Sequence, residues 1–180
     1  MSSVLLDALI GVIAVATLLL AIAAVWGLFL KVPSMPTPMP VVRTMIDLAH
    51  LAGHETILDL GAGDGRLLIE AKRKHPPVRA IGCELNPPVW LLGILRGIFS
   101  RVKIELHLRS LLQEDLSQTD VVFLYLFPEL LQALTEKFNR ELKPGTRIIS
   151  YMFRLKDREP IETKEVRGYW GKAHVYVYRW

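Results

Sequence analysis

Three glycines at alternate positions, Gly61, Gly63 and Gly65, follow the apolar run 57–60 and precede the amphipathic segment 67–75. Few folds accept that order. A strand runs into a turn where side chains are unwelcome, and a helix leaves the turn with its N-terminus open to a ligand. Asp59 stands at the C-terminal end of the strand, beside the turn.

Strand and helix patterns alternate from there on. Apolar, β-rich runs at 56–60, 79–85, 103–108, 120–127 and 146–153 predict five strands. Helical spacing predicts helices over 65–75, 87–99 and 128–142, the last two starting on prolines that suit a first turn. An earlier helix is expected over 41–52, stopped by Gly53. The tail, 161–167 and 172–180 around Gly168-Tyr169-Trp170-Gly171, reads as a hairpin. The fold class is therefore α/β: a Rossmann-like, mostly parallel sheet with helices on both faces and an antiparallel C-terminal hairpin at its edge.

The N-terminus is of another kind. No residue from 8 to 30 is charged and nearly all are apolar. At about 1.5 Å per residue, such a helix covers the roughly 30 Å hydrocarbon core of a bilayer with some tilt. A cleavable signal peptide fits less well, because Asp7 is the only charge ahead of the run and the run exceeds a signal core. The expected organisation is a transmembrane anchor over 1–31, a linker over 32–40 rich in proline, and a globular domain over 41–180. Lys31 and Arg43 follow the span and no cation precedes it, which places that domain in the cytoplasm. The single cysteine, Cys83, suits a reducing compartment.

Of the 22 Lys and Arg and 18 Asp and Glu, only Asp7 precedes Lys31, so the remainder carries one more positive charge than the net +4. That excess is too small and scattered for a nucleic-acid groove. The five histidines are dispersed, His50 and His54 being separated by a helix-stopping glycine, and no metal site is expected.

Three nucleotide-binding readings compete for the glycine turn. A phosphate-binding Walker loop needs Lys-Ser/Thr after its glycines, whereas Gly65 is followed by Arg66-Leu67. A dinucleotide fingerprint needs glycine where Arg66 stands. A nucleoside with an amino-acid tail suits the turn better. Asp59 faces an ammonium group, and Glu84, closing the second strand, accepts both hydrogen bonds of a ribose diol. The cofactor so implied is S-adenosyl-L-methionine (SAM).

Leu58-Asp59-Leu60-Gly61-Ala62-Gly63-Asp64-Gly65 with Glu84 resembles the glycine motif and following acidic motif of class I SAM-dependent methyltransferases. The order of an apolar N-terminus, Pro36-Thr37-Pro38, Gly82-Cys83-Glu84-Leu85-Asn86-Pro87, Tyr125-Leu126-Phe127-Pro128 and Glu141-Leu142-Lys143-Pro144-Gly145 is similar to a subgroup. These are the membrane-anchored lysine methyltransferases of the adenine nucleotide translocase and the ATP synthase c-subunit, with their prokaryotic relatives. The resemblance implies a class I methyltransferase sheet and cofactor contacts from Asp59, Gly61, Gly63, Asp64, Gly65, Glu84 and Asn86. Asp64 has a second role open to it, as an acid in the first helical turn. Ser110 stands where the family commonly has an acid for the adenine amino group, and Tyr151-Met152-Phe153 replaces a polar pair after the fifth strand.

Tyr125, at the end of the fourth strand, is the candidate for orienting a lysine amine. Thr37 and Pro38 read equally as a lid or as plain linker, and Arg66 as a solvated helix residue. Asn86-Pro87-Pro88-Val89 follows the second strand, not the fourth, so it is not the base-methylating signature it superficially resembles. The helix 87–99 reads as core packing, with Trp90 as the residue that tests this, and a membrane-surface role is the other possibility. The expected function is a membrane-anchored protein-lysine N-methyltransferase with a membrane protein as partner and no nucleic acid. A lipid- or quinone-like acceptor and a non-catalytic SAM-binding module are the alternatives.

Overall fold

β1 (Thr56–Leu60) and β4 (Val121–Leu124) lie side by side at the centre of a seven-stranded sheet, parallel, with Ile57 opposite Val121 and Leu60 opposite Leu124. Both are buried almost throughout, as uninterrupted apolar runs require. The computed structural model describes residues 3–30 and 35–180 and, within the first segment, the side chains of 5–18, 21 and 22. Lys31, expected to end the anchor, and Pro33, expected in the linker, lie outside the described residues.

β2 (Arg79–Glu84) and β3 (Glu105–Leu108) extend the sheet on one side of β1. On the other side of β4 come β5 (Arg147–Tyr151), then β7 (Gly171–Arg179) antiparallel to it, and β6 (Glu162–Gly168) at the edge. The order is β3-β2-β1-β4-β5-β7-β6. It is the expected sheet, with the tail hairpin inserted so that its second strand, not its first, pairs with β5.

Alternate residues sort onto two cores. Ile57, Val121 and Phe123 pack with α2 (Met39–Leu48) and α3 (Arg66–Lys74) on one face. Leu58, Leu60, Val122 and Leu124 pack with Leu131, Leu134 and Phe138 of α5 (Pro128–Glu141) on the other. α4 (Pro87–Ser100) covers the β2–β3 side, and a short 3-10 turn, Leu111–Gln113, follows β3. A Cβ at Gly82 would lie 2.6 Å from Ala62 Cβ and 2.7 Å from Leu68 Cδ1, so glycine there lets the start of α3 sit on β2.

α2 departs from its expected bounds at both ends. It begins earlier because Pro38 is its N-cap and Pro40 falls in the first turn, where a missing N–H costs nothing. It ends earlier because Glu55 gathers the N–H groups of Ala52, Gly53 and His54 at 2.7, 2.8 and 3.1 Å, folding that stretch into a turn. Burial opposes ionisation of Glu55, but the Ala52 and Gly53 N–H donors prevail and hold its pKa at about 2.

α1 (Ser3–Leu30) is a continuous helix, lying against α4. Its described side chains, Leu9, Ile10, Val12 and Ile13 among them, are exposed on every side. Among the described residues no helix is long and apolar enough to cross a membrane; the side chains of 19, 20 and 23–30 are not among them.

Candidate active site

The strand order reverses between β1 and β4, and in such sheets the crevice beyond the strand C-termini at that point receives ligands. A cavity of about 410 Å³ opens there. Of the candidate residues, Asp59, Gly61, Gly63, Asp64, Glu84, Ser110 and Tyr125 all line it. Their positions in the chain are far apart; the parallel register brings them together.

The glycine turn is pinned from below, since Gly61 N–H and Ala62 N–H both donate to Cys83 O, at 3.0 and 2.9 Å. Gly63 has φ +57, and a Cβ built on it would meet nothing within 4 Å. Here the backbone itself forms the cavity wall, leaving room for a ligand to approach.

Three carboxylates surround this wall, and each has a different state. Asp59 is buried, and burial followed by the charges of Glu84 and Asp64 pushes its pKa up to about 7. Surplus negative potential at a closed site fits a cationic ligand group. Glu84 accepts from Gly63 N at 3.0 Å through Oε2 and from Asn86 N at 2.8 Å through Oε1. A carboxylate has about four acceptor sites, so acceptor capacity remains for a diol. Asp64 is already engaged. Arg66 donates to it through Nε (2.9 Å to Oδ1) and Nη2 (2.7 Å to Oδ2), and Arg96 also pairs with Oδ2. Burial works against the Asp64 anion, but the Arg66 hydrogen bonds and the charges of both arginines hold its pKa below the usual value. The residues present therefore fit SAM: a cation-seeking acid, a diol-accepting acid and a side-chain-free turn between them.

Arg66 is not the solvated residue expected. Besides gripping Asp64, its Nη1 donates to Thr37 O at 3.0 Å. That contact straps Met35, Pro36 and Thr37 along the cavity, which they line. Asn86 also differs from expectation. It is buried as the N-cap of α4, lies outside the cavity lining, and its Oδ1 has no hydrogen-bond partner. Gly65 likewise stands behind the wall, its missing Cβ filled by Ile104 Cδ1 at 3.0 Å. Ser110 faces the cavity while its Oγ accepts from Leu112 N at 3.3 Å.

The far end of the cavity is aromatic. Tyr125 leans on Tyr151, ring centroids 4.6 Å apart, and its hydroxyl lies 3.5 Å from Met35 Sδ and 3.9 Å from Met152 Sδ, both weak acceptors. Burial, then Tyr169, raises the Tyr125 pKa, so the phenol stays protonated and is no base. Cys83 lines the cavity too, but burial lifts its thiol to about 12, and it is no nucleophile. Sequence reasoning missed Arg96, Met35 and Tyr151, whose roles arise only from contacts between distant segments.

Comparison with known proteins gives the same reading. The model of the ANTKMT methyltransferase domain matches residues 59–162. A protein-lysine N-methyltransferase of Saccharolobus islandicus (strain REY15A) is 33% identical over 151 residues, 82% of this chain and 92% of that one. The adenine nucleotide translocase lysine N-methyltransferase of Mus musculus is 31% identical over 160 residues, 79% of this chain and 67% of that one. Among solved structures, an RNA methyltransferase from Salinibacter ruber in complex with S-adenosyl-L-homocysteine superposes with a TM-score of 0.76 at 33% identity, covering 81% of this chain and 93% of that one.

Proposed function

Since the chain belongs to the ANTKMT methyltransferase family, an enzyme drawing its methyl group from SAM, we propose that its acceptor is a protein lysine and that α1 holds it at a membrane. The observation that carries the lysine reading is the cavity's aromatic end: Tyr125 backed by Tyr151, with two methionine sulfurs at its hydroxyl. When bound, the cofactor supplies a methyl group on a sulfonium for one in-line displacement by the amine.

The chain's own residues align and desolvate. Asp59 and Glu84 hold the cationic and diol ends of the donor. Tyr125 presents its ring face to an alkylammonium, and its oxygen accepts from an amine N–H. The apolar lining, Met35, Met45, Leu124 and Leu126 among it, disfavours the charged amine and lowers its pKa. A neutral amine needs no strong general base, and alignment supplies much of the rate.

The membrane reading rests on the uncharged run 8–30 and on a helix whose described side chains expose apolar groups all round. Lys31 and Arg43 favour a cytoplasmic catalytic domain. RNA is the acceptor named for the Salinibacter structure. Here β4 runs directly into Tyr125-Leu126-Phe127-Pro128, while Asn86-Pro87-Pro88 opens α4, away from the fourth strand's end.

The test is incubation of the full chain and methyl-labelled SAM with membranes from cells lacking it. The expected result is label in a protein band, located on lysine by mass spectrometry and absent with Asp59→Ala. Label in RNA or in an organic extract overturns the lysine reading.

A further inference from the structure

α4 has two apolar faces, where a surface helix normally has one. The inner face is flat. Gly93 and Gly97 are buried, a Cβ at Gly93 would lie 2.7 Å from Leu106 Cδ1, and Trp90 Nε1 donates to Leu106 O at 3.0 Å. Trp90 therefore packs on the sheet, as the core-packing reading of this helix expects. The outer face carries Leu91, Leu92, Leu95, Ile98 and Phe99, one continuous helical stripe. Ile98 is 65% exposed and Phe99 83%.

We propose that this outer stripe rests in the interfacial layer of an anionic bilayer, beside α1. Two observations choose that occupant. α4 contains no acidic residue; its only charge is Arg96, and exposed Arg101 and Lys103 follow directly beyond Phe99. An apolar stripe ending in cations matches acyl chains below and lipid phosphates above. Continuity is the second: α1, whose described side chains are exposed and mostly apolar, lies against α4. Val89 and Leu92 of the same helix line the cavity, so docking α4 brings one cavity wall to head-group level. The enzyme then favours lysines close to the membrane surface. This part rests on the lysine reading; the docking itself does not.

The test uses the full chain with Phe99→Cys or Val15→Cys, each labelled with an environment-sensitive fluorophore; buried Cys83 stays unmodified in the folded protein. The samples are reconstituted in vesicles of phosphatidylcholine and phosphatidylglycerol containing a shallow doxyl-lipid quencher. Retained SAM binding confirms the fold of each sample. The expected result is lipid quenching at both labels, with quenching at position 99 reduced when phosphatidylglycerol is omitted. Arg101→Gln and Lys103→Gln each lower the docked-to-undocked ratio by about fivefold, the equivalent of ~1 kcal/mol per basic residue at an anionic surface. Quenching at 15 but not at 99 overturns the docking and leaves the tether. Quenching at 99 but not at 15 supports the docking and overturns the tether. Energy transfer between labels at 99 on different copies, lost on dilution into lipid, shows a second copy as the occupant and overturns the proposal.

Discussion

The two ends of the cavity solve opposite electrostatic problems. At the glycine turn, three carboxylates crowd together; Asp64 is neutralised by Arg66 and Arg96, while burial and then the charges of Glu84 and Asp64 push the Asp59 pKa up to about 7. At the other end, Tyr125, Tyr151, Met35 and Met152 meet with no charge among them. One end awaits a cation to complete its electrostatics; the other strips water from whatever enters. The proposed displacement between a sulfonium donor and an amine acceptor needs that division, because the donor is held by charge and the acceptor is activated by losing its own.

The comparison is open to breaking, first at Asp59. Asp59→Ala removes a desolvated anion facing a cation, and the affinity for S-adenosyl-L-homocysteine falls on the order of 100-fold, ~2–3 kcal/mol, by isothermal titration. An affinity within a few-fold of wild type would show that the acidic end does not hold the cofactor. Tyr125→Ala attacks the other end. Acceptor kcat/KM falls about tenfold, the scale of a desolvated cation–π contact with its packing, while cofactor affinity is unchanged. A matched loss of cofactor affinity would merge the two ends into one.

The titration of Asp59 separates them by pH. Its folded pKa lies above the usual carboxylate value, so ionising it in the ligand-free protein costs stability: the contribution present below about pH 4 is lost as pH rises through about 7. A cationic ligand prefers the ionised form, so cofactor affinity rises with pH, about tenfold from pH 6 to 8, and Asp59→Asn flattens the curve. Tyr125→Ala leaves that curve intact. The smallest effect is Tyr125→Phe, which keeps the ring and loses the hydroxyl. Acceptor kcat/KM falls about threefold, the low end of the scale for losing one neutral hydrogen bond between the amine and the phenol oxygen.

Much of the acidic end was legible in the chain. Asp59, Gly61, Gly63 and Glu84 sit at strand ends or in the turn, and strand ends can be located from apolar runs bounded by glycine and proline. The aromatic end was only half legible. Tyr125 closes a strand and was visible, but Tyr151 reads as a core residue and Met35 as linker until the fold sets them around it. Arg66 shows the limit most plainly. A basic residue in the first turn of a helix looks solvated, and only its 3.0 Å bond to Thr37 O, twenty-nine positions away, shows that it straps the linker to the site. Asn86 differs the other way, a motif residue that the fold buries at the N-cap position of α4, outside the cavity lining.

By itself the sequence determined the alternation of strands and helices, the glycine turn with its two acids and the uncharged N-terminal run. Each is written in consecutive residues, through hydrophobic period and backbone permissiveness. Tertiary structure alone decided that Asp64 is spent on two arginines, that residues 35–37 lie along the cavity, and that α4 keeps an apolar face outward. Those outcomes depend on which side chains remain unpaired once the sheet has formed, and a period along the chain carries no record of that.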